Sequence, residues 1–65
     1  MRIKVVPGGF VRISWPLDFP GYTLQSAPSV LGPWTTVPFP VRIEGNEYVV
    51  YDPLGPGPVY YRLFQ

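Results

Sequence analysis

The chain lacks two residue types on which much protein chemistry depends, because its 65 residues include no cysteine and no histidine. A disulfide framework and a zinc site built on Cys or His are therefore excluded. The same absence excludes the common nucleophilic triads, which need a histidine base or a cysteine nucleophile. We expect no enzymatic activity, no bound metal and no cofactor.

Carboxylate pairs are the remaining catalytic candidates. Asp18 with Asp52, or Glu44 with Glu47, are pairs that can act as acid and base. Glu44 and Glu47 flank a predicted hairpin turn, where solvated carboxylates are ordinary. No ligand spacing supports calcium at Asp18 and Asp52. The sequence therefore favours structural roles for all four acids.

Charge is also scarce, with five basic and four acidic residues spread along the chain without a cluster, for a net charge of +1. This balance indicates neither nucleic acid nor an anionic membrane as a partner. Only 14% of the residues are charged and 46% are hydrophobic, which leaves little polar surface for a domain this small. We expect part of the surface to be covered by protein, through self-association or on a large assembly.

Long apolar runs are missing as well. None approaches the ~20 residues that span a bilayer. Arg2 and Lys4 precede only Val5 and Val6 before a turn at residues 7–9, so no signal peptide is recognisable. The expected site of synthesis is the cytoplasm, with a virion as one final location. An extracellular location is the alternative if the chain is a fragment of a secreted protein.

Proline and glycine are abundant, and they separate short segments rich in Val, Ile, Tyr, Phe and Trp. This pattern predicts one all-β domain over residues 1–65, because no helical period persists beyond a turn. The predicted strands cover residues 2–6, 10–15, 22–26, 34–37, 41–43, 48–51 and 59–65.

Three strand features carry the most information. Alternation places Val11, Ile13 and Trp15 on one face, which we predict to be the core face. The Gly-Asn centre of residues 44–47 predicts a tight antiparallel hairpin. Prolines on both sides of Phe39 predict an exposed edge or a strand that changes sheets.

The last predicted strand has two largely apolar faces, one with Val59, Tyr61 and Leu63 and the other with Tyr60, Arg62 and Phe64. Such a strand is normally central to a packed structure, or becomes central when another strand adds to it. A cation-π contact, or an ion pair with Glu47 or Asp52, is the expected role of Arg62.

Several motifs together resemble the fibronectin type III β-sandwich. They are Trp15, Tyr22, the corner at residues 54–57 and the aromatic-Arg-hydrophobic run at residues 61–63. Residues 22–63 are also similar to short domains of this type in environmental bacteria. The resemblance implies a small antiparallel sandwich that binds or builds rather than catalyses. A small SH3-like or OB-like barrel is the alternative fold.

Two departures from the family pattern affect this expectation. The tyrosine that makes the family's corner hydrogen bond falls on Val59, so the corner is rebuilt or lost. No residues follow Gln65 to form the family's last strand, so we expect an edge with unpaired N–H and C=O groups. Such an edge invites a strand from a second copy or a host protein.

The leading functional hypothesis is a structural or interaction module that docks on or staples a larger assembly, such as a phage capsid decoration protein or an accessory virion protein. One alternative is an adhesion or carbohydrate-binding module of a secreted bacterial protein. Another is an OB-like binder of single-stranded nucleic acid, for which Phe10, Arg12, Tyr60 and Phe64 are a candidate stacking platform. The interface candidates are Trp34, Phe39, Tyr60, Arg62 and Phe64.

Overall fold

A computed structural model describes all of residues 1–65 and contains seven β-strands. They are β1 (Arg2–Val6), β2 (Phe10–Pro16), β3 (Thr23–Ala27), β4 (Thr35–Thr36), β5 (Arg42–Glu44), β6 (Glu47–Pro53) and β7 (Tyr60–Phe64). Each predicted strand is present. β4 is shorter than predicted because Pro33 and Pro38 limit the ladder, although Val37 N–H still donates to Leu24 O at 3.0 Å. β6 is longer than predicted and extends to Pro53.

The strands form two antiparallel sheets, a four-stranded sheet of order β1-β2-β6-β5 and a three-stranded sheet of order β4-β3-β7. Apolar side chains of β2 and β6 pack against those of β3 and β7. The fold is therefore a small β-sandwich, as predicted. The alternative of a closed SH3-like or OB-like barrel is wrong, because the two sheets remain separate.

The β5–β6 hairpin has the predicted register, with Glu44 opposite Glu47. Gly45 has a φ of 61°, a value that costs glycine little and that a tight two-residue turn requires at its first central position. The local sequence was sufficient for this prediction because the turn alone sets the register.

The core lies between the sheets and is centred on Val11, Ile13 and Trp15 of β2. Val50 lies opposite Ile13 in the ladder, and Leu24 covers it from the other sheet. The predicted core face of β2 is confirmed. Only nine of the 65 residues are buried, so each buried side chain carries a large share of the stability.

Residues 38–41, which hold the Pro-Phe-Pro segment, carry the chain from β4 in one sheet to β5 in the other without forming a strand. The prediction that this segment marks a change of sheet is confirmed. The missing N–H groups of Pro38 and Pro40 explain why no ladder continues through it.

Candidate interaction surface

The two sheets differ by one strand, and this leaves β1 without a strand opposite it. Tyr61 and Leu63 of β7 pack against the core cluster that contains the β2 residues. Ile3 and Val5 of β1 are exposed although their ladder partners Ile13 and Val11 are buried, which indicates that β1 extends past β7.

The side chains of Ile3 and Val5 on β1 face the space between the sheets but are exposed. Ile3 pairs with Ile13 and Val5 with Val11, and paired residues share a face of the sheet. Ile13 is 0% exposed, whereas Ile3 is 52% and Val5 is 63% exposed. Met1, one residue before β1, is also exposed. We call the surface formed by Met1, Ile3, Val5 and the free edge of β7 the open side.

Two cavities lie along the open side. The larger has a volume of about 470 Å³, and nine of its 12 lining residues are hydrophobic, including Ile3, Val5 and Val59. The smaller has a volume of about 320 Å³ and is lined by Met1 and Leu63, among others. An apolar groove therefore runs beside β7.

The free edge of β7 supplies the polar component of this groove. β7 pairs with β3 on one side only. In an antiparallel ladder, alternate residues direct their N–H and C=O groups away from the paired neighbour. The open side therefore combines unpaired main-chain groups with apolar side chains, which is the surface that an added β-strand covers.

One polar contact joins the sheets near this groove. Tyr61 Oη donates a hydrogen bond to Asp52 Oδ2 at 2.7 Å. Val59, where the register of the family motif places the corner tyrosine, makes no such contact because valine has no hydroxyl. A hydrogen-bonded tyrosine thus lies two residues further along the chain than the motif predicted.

Burial, followed by the hydrogen bond to Asp52, raises the pKa of Tyr61. An unfolded tyrosine ionises near pH ~10. Because the folded-state pKa is raised, the stabilisation is complete below about pH 10 and is lost as the pH rises further. We expect the free energy of unfolding to fall above about pH 10, and to fall less steeply in Tyr61→Phe.

Urea unfolding at a series of pH values between about 8 and 11 measures this dependence. Tyr60→Phe is the matched control, since the Tyr60 ring is exposed. An identical slope above about pH 10 for the wild type and Tyr61→Phe would show that Tyr61 does not cause it.

The interface candidates do not form one surface. Arg62 lies with Trp34 and Phe64 on the outer face of the three-stranded sheet, with its Cζ atom 4.4 Å and 5.1 Å from the respective ring centroids. Its Nε donates to Gln25 Oε1 at 2.7 Å. Of the two predicted alternatives for Arg62, the cation-π contact is confirmed and the ion pair with Glu47 or Asp52 is not formed.

Tyr60 shares the outer face of β7 with Arg62 and Phe64 and lines a cavity with Trp34, whereas Phe39 lies apart from this cluster. Tyr60 is exposed at the start of β7 and lines the larger cavity of the open side. Phe39 lines a separate cavity of about 350 Å³, together with Phe10 and Tyr51. Because Phe10 belongs to the four-stranded sheet and Phe64 to the other, the predicted stacking platform is not formed.

The two hairpin carboxylates lie close to a cation. Arg12 Nη2 is 3.5 Å from Glu44 Oε1 and 3.8 Å from Glu47 Oε1. Tyr51 Oη also donates to Glu44 at 3.3 Å. These contacts hold both carboxylates beside the Arg12 guanidinium on the outer face of the four-stranded sheet.

Met1, Ile3 and Val5 were not among the interface candidates. Alternation predicted a strand over residues 2–6, and the structure shows that this strand, β1, is an edge of its sheet. To predict their exposure, one must know which strand packs opposite β1. The periodicity of a single segment does not give this information.

No group of three or more His, Cys, Asp or Glu side chains is arranged to hold a metal ion. The structure contains no helix of the length and apolarity that a bilayer crossing requires. A comparison with protein-family models found no match, and comparisons with curated proteins and with solved structures found none either.

Proposed function

We propose that this protein is a non-enzymatic interaction module that assembles with other protein chains through the open side. The observation that carries the proposal is the exposure of Ile3 and Val5 on the core-facing side of β1, next to the unpaired edge of β7. Exposed apolar surface beside an unpaired edge strand is costly for an isolated domain and typical of an assembly surface.

The strand order supports a fibronectin type III-like assignment as part of this proposal. In that family of sandwiches, one further strand lies beside the strand equivalent to β7. A chain that fills this position from outside completes the second sheet and covers the inner face of β1. A setting on a large assembly such as a phage capsid is compatible with this role and stays a prediction.

Selection from a library of random displayed peptides tests the proposal. The protein is immobilised sparsely, so that neighbouring copies do not meet. We expect enrichment of peptides with apolar residues at alternate positions, because such peptides cover the open side as extended strands. The selected peptides are then measured against Val5→Glu and the matched control Lys4→Glu, which changes the opposite face of the same strand.

Binding to the wild type and Lys4→Glu, but not to Val5→Glu, would support the proposal. No enrichment over an empty surface, or equal binding by Val5→Glu, would contradict it. Circular dichroism of each variant establishes that all three proteins are folded.

A further inference from the structure

The geometry points to a second copy of this chain as the occupant of the open side, with β1 of each copy pairing with β7 of the other. This inference rests on the proposed function and specifies the partner. Each copy offers two complementary features, an exposed apolar edge strand and an edge that lacks one strand.

The strand directions are correct for such pairing. Met1 shares a cavity with Leu63, near the end of β7. Val5 shares the other cavity with Val59 and Tyr60, near the start of β7. β1 and β7 therefore run in opposite directions.

A two-fold axis parallel to the strands, midway between the sheet layers, generates the dimer. This rotation preserves strand direction, so β1 of the second copy arrives beside β7 of the first as an antiparallel neighbour. It also exchanges the two layers, so the inner face of the incoming β1 points at the inner face of the resident β1. Ile3 and Val5 of the two copies then pack together, as in the core of a sandwich.

The same rotation places β1 of the first copy beside β7 of the second. Both sheets become seven-stranded, with the order β5-β6-β2-β1 of one copy continued by β7-β3-β4 of the other. All four unpaired edges at the joint are thereby used, and the contact is isologous and closes at two copies.

Pairing between the other edges is less favourable. Joining β7 to β7 requires a two-fold axis perpendicular to the sheets, and this places β1 of each copy in the space of β2 of the other, because β1 extends past β7. The remaining edges, β4 and β5, have only two and three residues, against five in β7. Of the edges, only β1 matches β7 in length and in its apolar face.

The charges near the joint predict an unusual salt dependence. The directions above place Lys4 of one copy nearest Tyr60 of the other, and Arg2 nearest Arg62. No pair of opposite charges forms across the joint. Screening by salt therefore removes only the repulsion between like charges. Salt is therefore expected to strengthen the association or leave it unchanged.

Sedimentation equilibrium over a wide dilution range tests the inference, with circular dichroism on the same samples. The wild type is expected to be a dimer at about 0.2 mM and to dissociate on dilution by mass action. Val5→Glu buries two unpaired carboxylates in the joint and is expected to weaken association at least about 100-fold. Ile3→Glu is a second variant with the same expectation, and Lys4→Glu is the matched control that retains dimerisation.

A wild type that is folded and monomeric at about 0.2 mM would overturn the inference. An oligomer of another size, or a dimer equally stable in Val5→Glu and Ile3→Glu, would also overturn it, because the copies would then meet elsewhere. The peptide selection distinguishes failure of the proposed function from failure of the proposed dimer. Peptide binding that Val5→Glu abolishes, with a monomeric wild type, leaves the proposed function standing and removes only the dimer.

Discussion

Ile13→Ala is expected to remove a large part of the free energy of unfolding of this protein. Ile13 is completely buried at the centre of the core, and removal of such a side chain costs about 2–5 kcal/mol. A domain of 65 residues has a total stability of only about 3–10 kcal/mol. The small core leaves few other contacts to compensate for the cavity.

Ile3→Ala is the matched control, because Ile3 lies directly opposite Ile13 in the ladder and shares its face. In the dissociated chain the same substitution is expected to cost less than about 0.5 kcal/mol, because Ile3 is exposed there. Urea unfolding, at a protein concentration below the dissociation constant of the dimer, measures both values. Equal costs for Ile3→Ala and Ile13→Ala would show that the open side is covered within a single chain.

The sequence was informative where a local pattern determines the structure. Alternation along β2 identified Val11, Ile13 and Trp15 as core residues, because a strand has two faces and only one of them was free of charge. The Gly45-Asn46 turn identified the β5–β6 register, because a two-residue loop leaves no freedom in the pairing.

The open side could not be predicted in the same way. Its apolar residues, Ile3 and Val5, are separated from Tyr60 by more than fifty positions of the chain. Their exposure depends on which strands stack across the sandwich, and that is a property of topology rather than of any segment. Phe39 is a different case. Its proline neighbours predicted a change of sheet, but they gave no information on which residues surround the Phe39 ring.

Arg62 shows how a side-chain contact escapes prediction. The sequence predicted either a cation-π contact or an ion pair with Glu47 or Asp52, and the structure shows the cation-π contact. Arg62 pairs across the ladder with Gln25, whose amide oxygen accepts its hydrogen bond. The register between β3 and β7 determines this contact. The sequence of β7 alone does not give that register.

Disulfide cross-linking of a double variant, Lys4→Cys with Tyr60→Cys, is the most direct test of pairing between β1 of one copy and β7 of the other. The natural chain has no cysteine, so no other thiol competes. Within one copy the two positions lie on the outer faces of opposite sheets and point apart, about 10 Å or more from each other, which excludes an intrachain bond. In the dimer they lie on neighbouring strands about 5 Å apart, within the range of a disulfide.

Mild oxidation is expected to convert the double variant almost entirely to a covalent dimer with two intermolecular disulfides. Each single variant is expected to stay uncross-linked, and addition of Val5→Glu to the double variant is expected to abolish the product. A double variant that remains monomeric after oxidation, or that cross-links equally well with Val5→Glu present, would contradict the pairing of β1 with β7.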